Sequence, residues 1–323
     1  MTLQFDLARK RAAEARHPRV AVLIPCYNEV RSVAAVVAGF AAALPEARIY
    51  VYDNNSSDGT AEAAAAAGAI VRREPRQGKG NVVRRMFSDI EADVYVMVDG
   101  DSTYDAPSAR RLVETLWQEQ LDLVNGARVA TGATLRPGHA FGNRLLSSLV
   151  RAIFGTGTGD MLSGYKVFSR RYVKSFPALS AGFEVETELV IHALEMRMPM
   201  GEIATPYRDR PPGSASKLRT FSDGFRILRL IGFFVREEKP LAFFASLALV
   251  LASLSLLAGI PVVLEYLETG LVPRLPTAVL ALGLMLAAML SVTCGSILDS
   301  IARGRREMKR LHYMAAGPPG TDA

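Results

Sequence analysis

Two stretches of this chain carry no charged residue: Pro240 to Leu264, 25 positions, and Leu275 to Leu298, 24 positions. A hydrocarbon core of about 30 Å needs roughly 20 apolar residues at 1.5 Å each, so either run is long enough to cross a bilayer. The alternative is a pair of buried core helices, but soluble domains rarely need uncharged runs of this length. Pro261 falls near the outer end of the first run, and Pro273 and Pro276 at the start of the second, where a missing backbone donor is easiest to accommodate. The connection from Glu265 to Arg274 has two acids and one base, whereas Arg236 and Lys239 precede the first run and Arg303, Arg305, Arg306, Lys309 and Arg310 follow the second. By the positive-inside rule this predicts an integral membrane protein with both termini and everything ahead of Pro240 on the cytoplasmic side.

The rest of the 323 residues has ordinary soluble composition. With 50% hydrophobic and 22% charged residues and two cysteines, the chain is neither disordered nor a disulfide scaffold. Residues 1 to 19 mix charges (Asp6, Arg9, Lys10, Arg11, Glu14, Arg16) with no apolar run, so no signal peptide is read there. Cys26 and Cys294 read as free thiols. The net charge of +6 is partly juxtamembrane and suits an anionic bilayer surface; no nucleic-acid motif is present, and no nucleic-acid partner is expected.

Three short apolar, β-branched runs read as buried strands: Arg19 to Pro25, Arg48 to Tyr52 and Val94 to Val98. Alanine-rich helical stretches, Val30 to Leu44 and Thr60 to Ala67, lie between them, the second closed by Gly68. Alternation on this scale predicts an α/β fold built of βαβ units, with a crevice beyond the carboxyl ends of the strands. Polar residues follow each strand: Cys26-Tyr27-Asn28-Glu29, then Asp53 to Thr60, then Asp99-Gly100-Asp101. Asp58 reads as a turn and helix cap. Asp53 is placed to accept hydrogen bonds from a base or ribose. Asp99 and Asp101 can reach one Mg²⁺ or Mn²⁺, with Gly100 letting a diphosphate approach the backbone. Arg76 to Asn81 precedes a helix over Val82 to Ile90 and can cradle phosphate or serve as a plain surface loop. The spacing is not that of a phosphate-loop triphosphatase.

Together, IPCYNE (Ile24 to Glu29), YDNNSSDGT (Tyr52 to Thr60), QGKGNVVR (Gln77 to Arg84), VDGD (Val98 to Asp101), LSGYKVFSR (Leu162 to Arg170) and DRPPGSASKLRT (Asp209 to Thr220) resemble, in order, the inverting glycosyltransferases of family 2. The last motif with the two apolar runs is most similar to the polyprenyl-phosphate branch, which includes dolichyl-phosphate mannose synthase. The resemblance implies a GT-A (Rossmann-like) domain followed by two transmembrane helices, and transfer of a sugar from a UDP- or GDP-sugar to a polyprenyl phosphate. It implies that Pro25, Tyr27, Glu29, Asp53, Lys79 and Asp99 hold the nucleotide-sugar and that Asp99 and Asp101 hold the metal. Asp101, Arg210 and Lys217 are the implied catalytic residues. Arg128, Arg144 and Ser216 are the implied contacts of the acceptor phosphate, with solvated surface charge as the other reading of the two arginines. Glu184 and Glu186, in the run Glu184, Glu186 and Glu188, are possible site acids or an acidic helix start, where the dipole favours them. Asp53-Asn54 stands where many members have two adjacent acids.

Thr220 to Lys239, taken as a helix, sets Arg219, Arg226, Arg229 and Arg236 on one arc and Phe221, Phe225, Leu228, Ile231 and Val235 elsewhere, an interfacial pattern. The expected division is therefore an N-terminal extension (1–18), a catalytic domain (19–219), an amphipathic interfacial helix (220–239), two transmembrane helices (240–300) and a basic cytoplasmic tail (301–323). Two other readings remain: transfer to another cell-envelope acceptor, polysaccharide or lipid, and a catalytically silent membrane scaffold. A processive polysaccharide synthase is disfavoured because the Gln-x-x-Arg-Trp motif is absent; Leu116 precedes the only tryptophan, Trp117.

Overall fold

The computed structural model describes residues 18–130, 148, 159–178, 180, 182, 184–208 and 240–317. The chain forms two compact units, one of residues 1–224 with 309–323 and one of residues 225–308.

The first unit is built on a seven-stranded sheet of β1 (Val20–Cys26), β2 (Arg48–Asp53), β3 (Ile70–Arg73), β4 (Val94–Met97), β5 (Leu123–Ala130), β6 (Lys166–Ser169) and β7 (Met200–Tyr207), in the order β3-β2-β1-β4-β6-β5-β7. The first four strands are parallel, as the βαβ alternation predicts. β6 runs antiparallel to both β4 and β5, and β5 and β7 are parallel. The mixed half lies beyond the reach of the alternation argument, because β6 runs antiparallel to both neighbours and βα crossovers join parallel strands.

Both sheet faces are covered, which explains why β1 and β4 are apolar at nearly every position. On one face, helix α1 (Val33–Ala43) presents Val33, Val36, Val37 and Phe40, an i, i+3, i+4, i+7 stripe, to Val22 and Ile24. Helix α4 (Ser108–Gln118) adds Ala109, Leu112, Val113 and Leu116 to the same cluster. On the other face lie α3 (Lys79–Asp89), with Val82, Val83, Met86 and Phe87, and α6 (Val185–Glu195), with Val185, Leu189 and Ala193. The short helices α2 (Thr60–Ala66) and α5 (Arg170–Ser175) complete the set.

The second unit contains α7 (Pro240–Thr269) and most of α8 (Leu275–Ala315), each with a stretch long and apolar enough to cross a membrane. Apart from Pro240 at the start of α7, their buried residues fall every seventh position: Ala248, Ser255 and Val262 on α7, and Ala281, Ala288, Gly295 and Ala302 on α8. Such a period brings small residues of two helices repeatedly face to face. Ser255 closes the seam by donating its hydroxyl to the Ala281 carbonyl at 2.7 Å.

Helix α8 does not stop where its uncharged run stops. Its 41 residues, at 1.5 Å each, are about 60 Å long, twice a hydrocarbon core. The expected basic tail is therefore helical as far as Ala315, and its residues from Lys309 on belong to the first unit. Lys309 Nζ donates to Glu195 at 2.6 Å, and the Tyr313 hydroxyl donates to the buried Asp122 carboxylate at 2.8 Å. The Arg171 guanidinium lies over the Tyr313 ring, 5.0 Å from its centre. Arg170 reaches the Ala316 carbonyl at 3.0 Å.

Candidate active site

The carboxyl ends of β1, β2 and β4 each turn through one residue in the left-handed region, Asn28 (φ 52°), Asn55 (φ 65°) and Ser102 (φ 62°). Non-glycine residues adopt that conformation at a cost, which the surrounding contacts must offset. The three turns carry most of the side chains singled out from sequence. Pro25 is in β1, and Tyr27 and Glu29 follow it; Asp53 ends β2; Asp99 and Asp101 follow β4.

Backbone groups hold the β1 and β2 ends. Both carboxylate oxygens of the buried Asp53 accept from the Ser56 N–H, at 3.3 and 3.2 Å. Asp58 makes the expected turn one residue before Gly59, which stands at the cap of α2; it accepts from Thr60 Oγ1 at 2.5 Å, Thr60 N at 3.1 Å and Val30 N at 3.1 Å, and against desolvation these bonds, the Thr60 hydroxyl foremost, hold its pKa below the usual carboxylate value. Asn54 has a part that sequence reasoning missed. Its amide donates to the Glu74 and Arg76 carbonyls at 2.8 Å each and accepts from Gly78 N at 2.7 Å. It thereby fastens the glycine loop to the end of β2, a task an acid could not perform because it has no donor.

That loop delivers Lys79. Helix α3 begins at Lys79 itself, earlier than the expected Val82, with Gly78 at φ 128° as its cap. The Lys79 ammonium lies 2.5 Å from Asp99 Oδ1 and 2.5 Å from Glu186 Oε1. Burial works against its charge, but the two carboxylates prevail and hold its pKa above the ordinary lysine value. Of the three acids at the start of α6, Glu186 is therefore the one brought to Asp99. Glu188 is buried and accepts from Ser180 N at 2.8 Å, while Glu184 stands at the N-cap position, exposed and without a side-chain capping bond.

Asp101 is 3% exposed and accepts from Thr103 through N at 3.2 Å and Oγ1 at 2.6 Å. The residue between the two acids has to be glycine, because a Cβ on Gly100 would stand 2.5 Å from the Cys26 sulfur. Gly164 is required in the same way: a Cβ there would overlap the Asp99 carboxylate. Two carboxylates on one strand-end turn fit a hard divalent cation that takes its remaining ligands from phosphate and water. Among the described residues no cluster of three or more metal-binding side chains is found. A cavity of about 260 Å³ opens beside Asp99, bordered also by Ser102, Tyr104 and Arg208.

The other side of the crevice is built by ion pairs. Arg128 on β5 forms a two-pronged pair with Asp160, Nε and Nη2 each at 2.7 Å, and its N–H adds a third bond to the same carboxylate at 3.1 Å. Burial opposes both charges, yet their hydrogen bonds raise the Arg128 pKa and lower that of Asp160. The guanidinium also lies 5.5 Å from the centre of the Tyr207 ring. Asp160 is positioned by Asn125, which donates to its carbonyl at 2.9 Å, and by Glu202, which accepts from Gly159 N at 2.9 Å. Tyr104 accepts from Gly164 N at 2.6 Å, and burial pushes its own pKa well up. Asp160, Glu202, Lys166 and Tyr104 escaped the sequence reading; the one available signal was a lysine opening an otherwise apolar strand, Lys166-Val167-Phe168. Arg144, Arg210, Ser216 and Lys217 lie outside the described residues.

The profile of Glycosyl transferase family 2 matches residues 21–176, from the first strand through the last helix before Phe176. Glycosyltransferase AglJ of Haloferax volcanii is 31% identical over 307 residues, covering 91% of this chain and 98% of that protein. The chain belongs to glycosyl transferase family 2. Polyprenol monophosphomannose synthase of Mycolicibacterium smegmatis is 25% identical over 216 residues, 60% of this chain and 79% of its own length. Among solved structures, glucosyl-3-phosphoglycerate synthase from Mycobacterium tuberculosis, in complex with Mn²⁺, uridine-diphosphate-glucose and phosphoglyceric acid, superposes with a TM-score of 0.55. It covers 69% of this chain and 81% of that one at 22% identity, a likeness of fold, and that fold is GT-A. The family-2 motifs thus sit where its α/β sheet collects them, at the carboxyl ends of β1, β2 and β4.

Proposed function

We propose that this family-2 glycosyltransferase moves a sugar, with inversion, from a UDP- or GDP-sugar to a polyprenyl phosphate at the cytoplasmic face of a membrane. The observation that carries the reading is the union, in one chain, of a family-2 sheet with two helices apolar enough to span a bilayer. The similarity to a polyprenol monophosphomannose synthase supports the lipid acceptor. The distribution of Arg236 and Lys239 ahead of α7 and of the arginines late in α8 supports the cytoplasmic placement of the catalytic unit and both termini.

The chemistry asks little of a general base. A lipid monophosphate is already anionic near neutral pH, so its oxygen attacks the anomeric carbon directly. The new bond joins that carbon to the lipid phosphate oxygen, the bond to the nucleoside diphosphate breaks, and the diphosphate departs with the electron pair. Asp53, with Pro25, Tyr27 and Glu29 around it, receives the nucleoside. Lys79 is close enough to Asp99 to meet the diphosphate as well, and Glu186 orients its ammonium. Asp99 and Asp101 would hold Mg²⁺ or Mn²⁺, which when bound would supply neutralising charge for the leaving diphosphate. Arg128, stiffened by Asp160, presents a fixed guanidinium to the acceptor phosphate, and Arg144, Arg210, Ser216 and Lys217 join the phosphates. Alignment and charge neutralisation together supply the rate.

The test is the anomeric configuration of the product. With polyprenyl phosphate and an α-linked nucleotide-hexose, NMR of the purified lipid should show a β-linked sugar phosphate. An α-linked product, or sugar found only in a water-soluble product, contradicts the reading.

A further inference from the structure

Lys166 is the only lysine among the largest fully buried side chains, with no exposed surface. It opens β6, directly after the turn from Asp160 to Tyr165, and is paired in register with Met97 on β4 and Asn125 on β5. Met97 lies two residues before Asp99, so Lys166 sits beneath the acid turn on one side and beside the Arg128 strand on the other. Its ammonium donates to the Ser163 carbonyl and, at 3.3 Å, to the Met161 carbonyl. Met161 and Ser163 are themselves fully buried. Without the lysine, both carbonyls would face a dry interior unpaired, each at a substantial desolvation cost.

The turn that Lys166 holds serves both halves of the crevice. At its start, Asp160 grips Arg128 at 2.7 Å. At its end, Gly164 abuts the Asp99 carboxylate and donates to Tyr104 at 2.6 Å. The turn is tied at its edges by Glu202 to Gly159 N and by Ser163 Oγ to the Gly126 carbonyl. The charges facing the ammonium are Glu186 and Asp160, which favour it, and Lys79 and Arg128, which oppose it; burial prevails and brings its pKa down to about 8. An ammonium has three donors, and two are used here. Asn125, the register partner of Lys166 on β5, has a buried side-chain oxygen with no hydrogen-bond partner among the described residues.

We infer that Lys166 is a positioning residue of the transferase, holding the Met161–Ser163 turn at the height where Gly164 supports Asp99 and Asp160 fixes Arg128. The inference rests on the reading of the chain as a lipid-phosphate glycosyltransferase for its kinetic consequence, though not for its structural one. Displacing reactive groups by about 1 Å costs on the order of 100-fold in rate while leaving much of the binding intact.

The experiment compares the full-length protein with Lys166→Met, which keeps the length and removes the charge, and Lys166→Arg, which keeps the donors. Turnover is measured with a polyprenyl phosphate acceptor, UDP affinity by calorimetry, and amide exchange over residues 159–165 by mass spectrometry. Lys166→Met should lose about 100-fold in kcat with the donor KM within threefold. It should exchange faster at 159–165 and nowhere else, and Lys166→Arg should recover most of the rate. Equal loss in both variants, a change confined to KM, or unaltered exchange at 159–165 overturns the inference. If Lys166→Met does not fold, Lys166→Arg decides: folded and active supports, folded and inactive overturns. Absence of transfer by the wild-type protein would count against the proposed acceptor, and the exchange readout then decides the inference by itself.

Discussion

The two sides of the crevice are held by different means. At the ends of β1 and β2 the polar side chains are secured by nearby backbone groups, as Asp53 is by Ser56 N, three residues on, and Asn54 by the Glu74–Gly78 loop. At the ends of β4, β5 and β6 the charges are secured by one another across long stretches of chain. Lys79 and Glu186 are 107 residues apart, and Arg128 and Asp160 are 32. Backbone donors cannot be titrated or exchanged, so the first side is rigid, as the proposed nucleoside pocket requires. Paired charges can trade partners with an incoming anion or cation, so the second side is suited to phosphates and metal.

The most damaging way to break this arrangement is Asp101→Asn. The buried acid keeps its Thr103 bonds in that variant, so the fold should persist while transfer falls by about 1,000-fold or more, measured as lipid-linked label. Next in size is the contrast between Asp160→Ala and Asn54→Ala. The first leaves Arg128 a part-buried, unpaired cation and should lower unfolding free energy by about 3–5 kcal/mol. The second removes neutral hydrogen bonds and should cost about 1–3 kcal/mol. Chemical denaturation of the two variants reads the difference directly, and a larger loss in Asn54→Ala would reverse the comparison.

A smaller effect concerns pH. His192 lies behind the paired-charge side, 2% exposed, with Nε2 3.0 Å from Ser175 Oγ and Nδ1 without a partner. Burial, aided by Lys309, brings its pKa down to about 3. Below about pH 6.5 the unfolded chain takes up a proton that the folded one refuses, so stability should fall as pH drops from 6.5 towards 3. His192→Gln should flatten that part of the curve of melting temperature against pH. The smallest expected change is Tyr313→Phe, which removes one hydroxyl from Asp122 and should cost about 1 kcal/mol by the same denaturation measurement.

These differences also explain what could be read from the chain. The strand ends, the turn at Asp58 and the Asp99-Gly100-Asp101 turn were legible because each is set by residues adjacent in sequence. Apolar runs likewise revealed α7 and the first part of α8. Partners fixed by topology were not legible. Nothing local says that Glu186 and not Glu184 meets Lys79, since that depends on where α6 docks beside α3. The pairing of Arg128 with Asp160 requires β6 to run antiparallel beside β5, a strand that the βαβ pattern does not announce. The docking of Tyr313 needed the helix to continue through a charged stretch, where hydropathy gives no guidance.

The central claim is transfer of a sugar to a membrane lipid phosphate by the full chain. Purified protein, incubated with undecaprenyl or dolichyl phosphate and a panel of labelled UDP- and GDP-sugars with Mg²⁺ or Mn²⁺, should place label from one donor in the organic phase, and a chelator should abolish it. No organic-phase label from any donor, in protein that binds nucleotide, would contradict the proposed acceptor; undiminished label in the presence of chelator would contradict the role given to Asp99 and Asp101.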